Sequence, residues 1–541
     1  MKSNYIKDLE KKYSNINYSA NVIPDQKKYF ITFPYPYMNG KLHLGHAYTV
    51  VHADFTARYK RQRGYNVLFP FAYHGTGMPI YACAQKLKYE LEKYAEPNEW
   101  SILPNTTQIK ILSDMGIPLN LVSNFTDPYY WLEYFPTHAQ KDLIKLSISS
   151  DFSRSFVTTD INFYYDSFIK WQFSKLDEKN LITKGLRYVI YSEKDKQPCA
   201  DHDRQTGEGI EPIEYKMNTQ YVTIYNNKQI IFFATLLSTS TDNLKIYMNP
   251  KETYQLFELN SLTYVASEKS ISNIKHQYSI KIVDNIDANN IKNISFTSKN
   301  CATGIYLSTD INNEYPIIVS ESNPNTLRYL EPQSHVLSRT GDNCVVALTD
   351  QYYINYGDEQ LKNKVNNFIE HNFKNTDKKT IELLKHASNW IKEWPYSRHY
   401  GLGTKYNEQL IDSLSDSTIY MEYYTVAHLI DNLPKEKINN SLWDAIFLNK
   451  ELNNTLYSTN ELNVINNMKT EFNYWYPVDN RVSGKDLINN HLIMSLYNHL
   501  AIWDDTQCIQ NNMINGHILL NGQKMSKSTG NFMTIDSVID K

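Results

Sequence analysis

Apolar and polar positions change period several times in the first eighty residues. Tyr29-Phe30-Ile31-Thr32-Phe33 is an aromatic and β-branched run and predicts a strand. Pro34, Pro36 and Gly40 stop that strand and force a turn. From 47 to 59 apolar residues recur three and four apart, which predicts a helix. It closes on Lys60-Arg61-Gln62-Arg63-Gly64, a basic last turn with a glycine stop. Residues 65–71 read as a second strand. A strand–helix–strand unit predicts an α/β fold with a parallel sheet and right-handed crossovers. Ligands of such sheets collect at the carboxyl ends of the strands.

The later pattern divides the chain. Residues 5–13 and 80–94 have helical spacing, and 103–150 reads as irregular helix with the aromatic cluster Tyr129-Tyr130-Trp131. Residues 151–181 return to a strand–helix pattern. The stretch 184–214 is strand-rich and ends on a polar turn, Asp201 to Gly209, which predicts a hinge. From about 213 to 332, short β-rich runs such as 220–225 and 229–234 alternate with Asn/Ser-rich turns, so a separate β-rich module is expected. A buried strand is predicted at Cys344-Val345-Val346-Ala347-Leu348, and a helix over 370–394. A Gly-rich loop (397–404) and a polar helix start (413–421) suit the rim of a ligand pocket. Residues 472–497 predict a strand, a polar turn holding Asp479, Arg481, Ser483, Gly484, Lys485 and Asp486, and a helix carrying Asn490 and His491. A last strand is expected at 517–520.

Composition narrows the class. The chain has 541 residues, enough for several domains. Its 55 basic and 58 acidic residues give a net charge of −3, so any nucleic-acid contact must rest on local patches. The five cysteines are sparse and unpaired in spacing, which points to a reducing compartment. Cys199-x-x-His202 has no second Cys/His pair, so no metal-ligand set is assigned. No apolar run is long enough to span a membrane, and the N-terminal residues resemble neither a signal nor a transit peptide. The reading is a cytoplasmic protein with no membrane association.

Two short stretches carry candidate chemistry. His43-Leu44-Gly45-His46 falls where the first strand hands over to a helix N-terminus. Unpaired N–H groups and the helix dipole favour an anion there. Gly45 lets a flat base or ribose approach the backbone, and both imidazoles can donate to phosphate oxygens as charge grows. Near the other end, Lys524-Met525-Ser526-Lys527-Ser528 lies on a short glycine-bounded loop. Its lysines are compact charges suited to phosphate, and a loop of this kind can close over a triphosphate.

Together these stretches resemble the paired signature of the class I aminoacyl-tRNA synthetases. Residues 33–46, 69–80, 201–209, 344–357, 397–404, 413–428, 475–492 and 515–532 resemble the leucyl-tRNA synthetases of the archaeal and eukaryotic cytosolic type. The isoleucine, valine and methionine enzymes share both signatures but not 413–421 or 482–487. The resemblance implies a Rossmann-like core split by an editing domain. It implies ATP, magnesium, leucine and tRNA(Leu) as ligands, and a reaction that forms leucyl-adenylate and transfers leucine to the tRNA 3′ end. It implies catalytic roles for His43, His46, Lys524 and Lys527. Gly45, Gly484, Asp486, Met525 and Ser526 would join them around ATP, while Phe33, Tyr35, Tyr37, His74, Ser417 and His491 would line the leucine pocket. The domains expected on this basis are a first core half at 1–212 with a helical insertion at about 95–150, a reduced editing-like module at 213–335, and a second core half at 336–541.

Two departures from the family stand out. The family's editing site carries a Thr-rich stretch with an Arg-Pro-Glu-Thr run. Here the matching stretch reads Ala234-Thr235-Leu236-Leu237-Ser238-Thr239-Ser240-Thr241, and a later one keeps only Ala302-Thr303-Gly304-Ile305. Degenerate post-transfer editing is therefore expected. The family also continues past the lysine loop into an anticodon-binding domain, whereas this sequence stops at Lys541. A fragment, a truncated gene, a half with a split-subunit partner, or a member of a multi-synthetase assembly would each fit. The competing readings are a non-catalytic synthetase-like protein and a synthetase for isoleucine, valine or methionine.

Overall fold

The structure is a computed structural model. It describes residues 18–94, 97–207, 209–225, 228–236, 245–248, 253–286, 305–308, 328–525, 527 and 530–539. The predicted helix at 5–13 lies outside them. The chain divides into two compact units, one formed by 1–184 with 352–541 and the other by 185–351. The β-rich segment expected at 213–335 lies inside the second.

The first unit is built on a parallel sheet. Strand β1 (Lys28–Thr32) leads into helix α1 (Leu44–Gln62) and strand β2 (Asn66–Leu68), as the alternating pattern predicts. Helices α2 (Met78–Lys93), α3 (Pro128–Lys145) and α4 (Phe163–Glu178) follow. After the second unit come α5 (Glu359–His371), α6 (Lys378–Trp390), α7 (Tyr420–Val426) and α8 (Thr459–Trp475), then β3 (Asn480–Gly484), α9 (Ile493–Ile502) and β4 (Asn512–Asn515). The strand order is β2-β1-β3-β4, every neighbour parallel. In register, Ile31 faces Asn480, Thr32 faces Arg481, and Arg481 faces Asn512.

Both faces of the sheet are covered. Phe30 and Leu68 join an apolar cluster with Trp171, Trp443, Phe472 and Trp475, whereas Ile31 and Val67 join another with Val50, Ala53, Trp131 and Phe135. Alternate residues thus bury in opposite directions, as a doubly covered parallel sheet requires. Helix α1 turns Ala47, Val50, Ala53 and Ala57 inward, and these small side chains let it sit close to the strands. Asp54 Oδ1 accepts from the Ser149 amide at 2.6 Å, which ties α1 to the segment after α3. Arg154, fully buried, donates to Asp151 and Glu471 and to the carbonyls of Ala20, Tyr424 and Thr425.

Four predicted elements are corrected. The strand expected from 472 is the end of helix α8, and the polar turn at 479–486 is in large part the buried strand β3. Asn480, Arg481 and Ser483 occupy a sheet position without apolar alternation, so the pattern conceals a strand. The single helix expected at 370–394 is instead the last two residues of α5, a break at 372–377 and helix α6, with a short strand from Glu393. The last strand is not 517–520: β4 at Asn512–Asn515 joins the sheet, and Leu519–Leu520 pairs with Gln523–Lys524 in a small hairpin.

The second unit is β-rich. Pro212–Tyr225 pairs antiparallel with Lys228–Leu236, and Tyr254–Leu259 lies between Leu262–Ser267 and Lys281–Ile286. Phe257, Tyr264, Ile271, Ile274 and Tyr329 form one small core, and Ile190, Cys199, Leu330, Val336, Cys344 and Val346 another. Residues 237–241 and 302–304 of the degenerate editing stretches lie outside the described residues.

Candidate functional site

The turn after β1 brings distant parts of the sequence together. Beyond β1, Phe33 to Tyr37 cross the carboxyl edge of the sheet, and His43 caps the N-terminus of α1. Its Nδ1 accepts the Gly45 amide at 3.0 Å, while His46 Nδ1 accepts the His43 amide at 3.2 Å. This reciprocal cap has imidazoles where Ser and Glu commonly serve. It also settles their chemistry. With each Nδ1 accepting a backbone N–H, a neutral ring carries its proton on Nε2. Burial, with His43 and the Lys527 ammonium nearby, holds His46 well below the usual histidine range. The rings stack with centroids 3.9 Å apart. The signature thus presents neutral N–H donors at a helix N-terminus.

The C-terminal segment is tied to the same turn. Leu44 N donates to Met533 O at 3.1 Å and Ile535 N to Leu42 O at 3.1 Å. Lys527 Nζ donates to Gly40 O at 2.9 Å, Asn39 Oδ1 at 3.3 Å and Tyr37 O at 3.4 Å. Burial lowers its pKa to about 7. Gly40 makes this docking possible: its φ is +143°, and a Cβ there would come within 2.5 Å of Met115 Cε and 3.2 Å of Lys527 Cδ.

A cavity of about 330 Å³ opens at this edge. Phe33, Tyr35, Tyr37, His43, Gly45, His46, His74, Ser417, Gly484, Asp486, His491 and Met525, all singled out from the sequence, line it. Lys527 sits against the turn rather than in the cavity wall. Lys524 is placed by its backbone in the hairpin, its side chain lies outside what the structure describes, and Ser526 lies outside the described residues.

One end of the cavity is aromatic. Tyr37 stacks on His74 with centroids 4.3 Å apart, and Tyr35 packs on His74 at 4.7 Å and Tyr420 at 4.0 Å. His74 Nε2 lies 3.3 Å from Asp416 Oδ1, and the Thr76 hydroxyl donates to the other carboxylate oxygen. Burial raises the Asp416 pKa, against the pull of His74 and Thr76.

His491 closes this end from a five-residue π-helical turn, Ile488–Leu492, ahead of α9. Such turns are rare and concentrate at functional sites, and no residue pattern announces one. His491 Nδ1 accepts from Arg481 Nη2 at 2.8 Å. An arginine only donates, so the imidazole proton is on Nε2, which reaches Ser417 O at 2.8 Å and Oγ at 2.9 Å. Burial and the Arg481 charge hold His491 well below its usual pKa, so it is neutral.

Also in the cavity lining, His517 Nε2 lies 3.0 Å from Asp486 Oδ1. Arg481, Tyr420, Leu414, Thr49 and His517 line the cavity without having been singled out as site residues. Arg481 stood in a predicted polar turn. The one usable signal was its place two residues before the Ser-Gly pair that leads to Asp486. The Gly-rich loop 397–404 does not line the cavity; Leu402 pairs with Gly77 instead. Among the described residues no group of three His, Cys, Asp or Glu could hold a metal, and no helix is long and apolar enough to cross a membrane. None of the four described cysteines is in a disulfide.

The comparisons agree with this geometry. The sequence profile of the tRNA synthetases class I (M) matches residues 29–115, and that of the tRNA synthetases class I (I, L, M and V) matches residues 123–541. The chain is 40% identical to a probable cytoplasmic leucine–tRNA ligase of Enterocytozoon bieneusi, over 100% of this chain and 66% of that protein. It is 32% identical to the cytoplasmic leucine–tRNA ligase of Dictyostelium discoideum, over 99% of this chain and 68% of that one. With the Pongo abelii cytoplasmic enzyme the figures are 32%, 95% and 59%. The chain therefore spans about two thirds or less of the length of these relatives. With both signatures meeting at one cavity and most of its length matched, this chain belongs to the class I tRNA synthetases of the isoleucine, leucine, methionine and valine group, among relatives named leucine–tRNA ligases.

Proposed function

We propose that the chain is a leucine–tRNA ligase core: it activates leucine with ATP and passes the leucyl group to the 3′ end of tRNA(Leu). The observation that carries this is one cavity joining the paired His43/His46 cap to an aromatic end closed by the His74–Asp416 and His491–Ser417 pairs. A carboxylate oxygen of leucine attacks the α-phosphorus of ATP. The bond to the β-phosphate bridging oxygen breaks, and pyrophosphate leaves. No proton moves in that step, so catalysis is positioning and charge stabilisation. His43 and His46 donate from Nε2 to phosphate oxygens at the N-terminus of α1. Gly45 keeps the floor open to the nucleotide, Gly484 and Asp486 face the adenosine, and Met525 and Ser526 belong to the loop over it. Lys524 and Lys527 bring charge to the phosphates from that loop, which for Lys527 requires release from the Gly40 carbonyl. Phe33, Tyr35, Tyr37, His74, Ser417 and His491 hold the leucine side chain. Magnesium arrives with ATP, since it suits phosphate oxygens.

ATP–pyrophosphate exchange tests this. The expected result is exchange with leucine far above that with isoleucine, valine or methionine, abolished in His46→Ala and Lys527→Ala. No exchange with any amino acid would refute the reading. The relatives' names also support a cytoplasmic location. Within the second unit, the segment 213–335 is read as a reduced editing module, between core halves 1–212 and 336–541. Its altered Thr-rich stretch supports loss of post-transfer editing. Rapid deacylation of mischarged tRNA(Leu) by the purified chain would overturn that part.

A further inference from the structure

We infer that Arg481 is the binding residue for the substrate's α-carboxylate, an inference that rests on the amino-acid-activating reading above. Arg481 lines the cavity and is fully buried. No carboxylate among the described residues lies within ion-pair distance of its guanidinium. Its polar neighbours are all neutral: Nη2 donates to His491 Nδ1 at 2.8 Å, Nη1 meets Met421 Sδ at 3.8 Å, and the group lies 5.7 Å from the Tyr420 ring centroid. Nε has no hydrogen-bond partner among the described residues. The buried Glu422 on α7 lies 2.7 Å from His499 Nε2, and neither of its carboxylate oxygens has a hydrogen-bond partner among the described residues, but it is not within ion-pair distance of Arg481. Thr32 and Asn512 flank Arg481 across the sheet, and Thr32 Oγ1 and Asn512 Oδ1 are likewise buried without partners. That row does not close on itself.

A buried cation without a counter-charge is costly, and proteins keep one where a ligand supplies the missing anion. Two anions enter this site, a carboxylate and a triphosphate. The donors for phosphate are at the helix cap, His43 and His46. Arg481 instead touches His491 and Tyr420, at the end that receives the amino acid. Guanidinium donors in a planar fork match a carboxylate. The same contact would aim the attacking oxygen, because a carboxylate oxygen that accepts from the fork keeps a second lone pair to approach phosphorus.

The test compares leucine with leucinol, which lacks the carboxylate, in the wild-type chain and in Arg481→Met. An apolar replacement of similar length removes the charge without leaving a new one unpaired. Binding is read by calorimetry and the KM values by ATP–pyrophosphate exchange. The expected result is leucine affinity weakened roughly 10- to 100-fold, leucinol affinity changed less than about twofold, and the KM for ATP unchanged. Arg481→Lys, keeping the charge but not the fork, should fall between, and carries the test if the Met variant does not fold. Equal weakening of leucine and leucinol would overturn the inference and make Arg481 a positioning residue for His491. A selective rise in the KM for ATP would overturn it in favour of phosphate. A wild-type chain that binds neither compound would instead overturn the activating reading itself.

Discussion

Gly45→Ala separates two roles that the signature turn combines. A Cβ at Gly45 would come within 2.8 Å of His43 Cε1 and 3.0 Å of its Nδ1, inside normal contact. The ring must swing away, breaking the 3.0 Å hydrogen bond from the Gly45 amide and the stack on His46. Losing an N-cap side chain costs about 1 kcal/mol. Replacing glycine by alanine within a helix contributes about 1 kcal/mol in the other direction. The two nearly cancel, so the denaturation midpoint should stay close to wild type. Activity does not cancel. A displaced donor at a site of developing charge costs about 10²- to 10³-fold in rate, and the displaced His43 also loses the contact that fixes its proton on Nε2. The assay is leucine-dependent ATP–pyrophosphate exchange alongside urea unfolding. The expectation is kcat down by that factor, stability unchanged and little change in the KM for leucine. A stabilised, fully active variant would show that Gly45 is an ordinary helix residue and that the His43 cap does not position a phosphate donor.

Other consequences can be checked independently. The folded-state pKa of Lys527, about 7, lies below its unfolded value, so between about pH 7 and 10.5 the unfolded chain binds the extra proton and stability rises with pH. The full shift corresponds to a few kcal/mol at most, because three oxygen acceptors offset part of the burial. Urea unfolding at pH 7 and 9 should show this slope in the wild type and lose it in Lys527→Met; identical slopes would refute the docking. Arg154→Met removes the cation between buried Asp151 and Glu471 and should cost about 3–5 kcal/mol, measured by denaturant titration; a change under about 1 kcal/mol would contradict the buried network. Asp416→Leu leaves His74 Nε2 without this partner and the Thr76 hydroxyl with only Thr158, and should destabilise by about 1–3 kcal/mol and raise the KM for leucine. Asp416→Asn, which can still accept from Thr76, should do less of both, and equal effects would argue against the pairing.

The sequence alone determined the local elements and the chemistry at their junctions. The aromatic strand, the proline turn and the amphipathic helix placed His43 and His46 at a helix N-terminus, because period and capping are properties of neighbouring residues. The spacing of Lys524 and Lys527 on a glycine-bounded loop was equally local. Only the tertiary structure decided that Lys527 docks on Gly40 and that His491 enters on a π-helical turn. The same holds for Asn480, Arg481 and Ser483, which lie in a central strand rather than the predicted polar turn. Polar residues at the carboxyl edge of a parallel sheet are buried by helices distant in sequence. Their alternation carries no apolar signal, and their partners are set by which strands lie side by side. Arg481 shows the limit: its neighbours Thr32 and Asn512 are fixed by strand order alone.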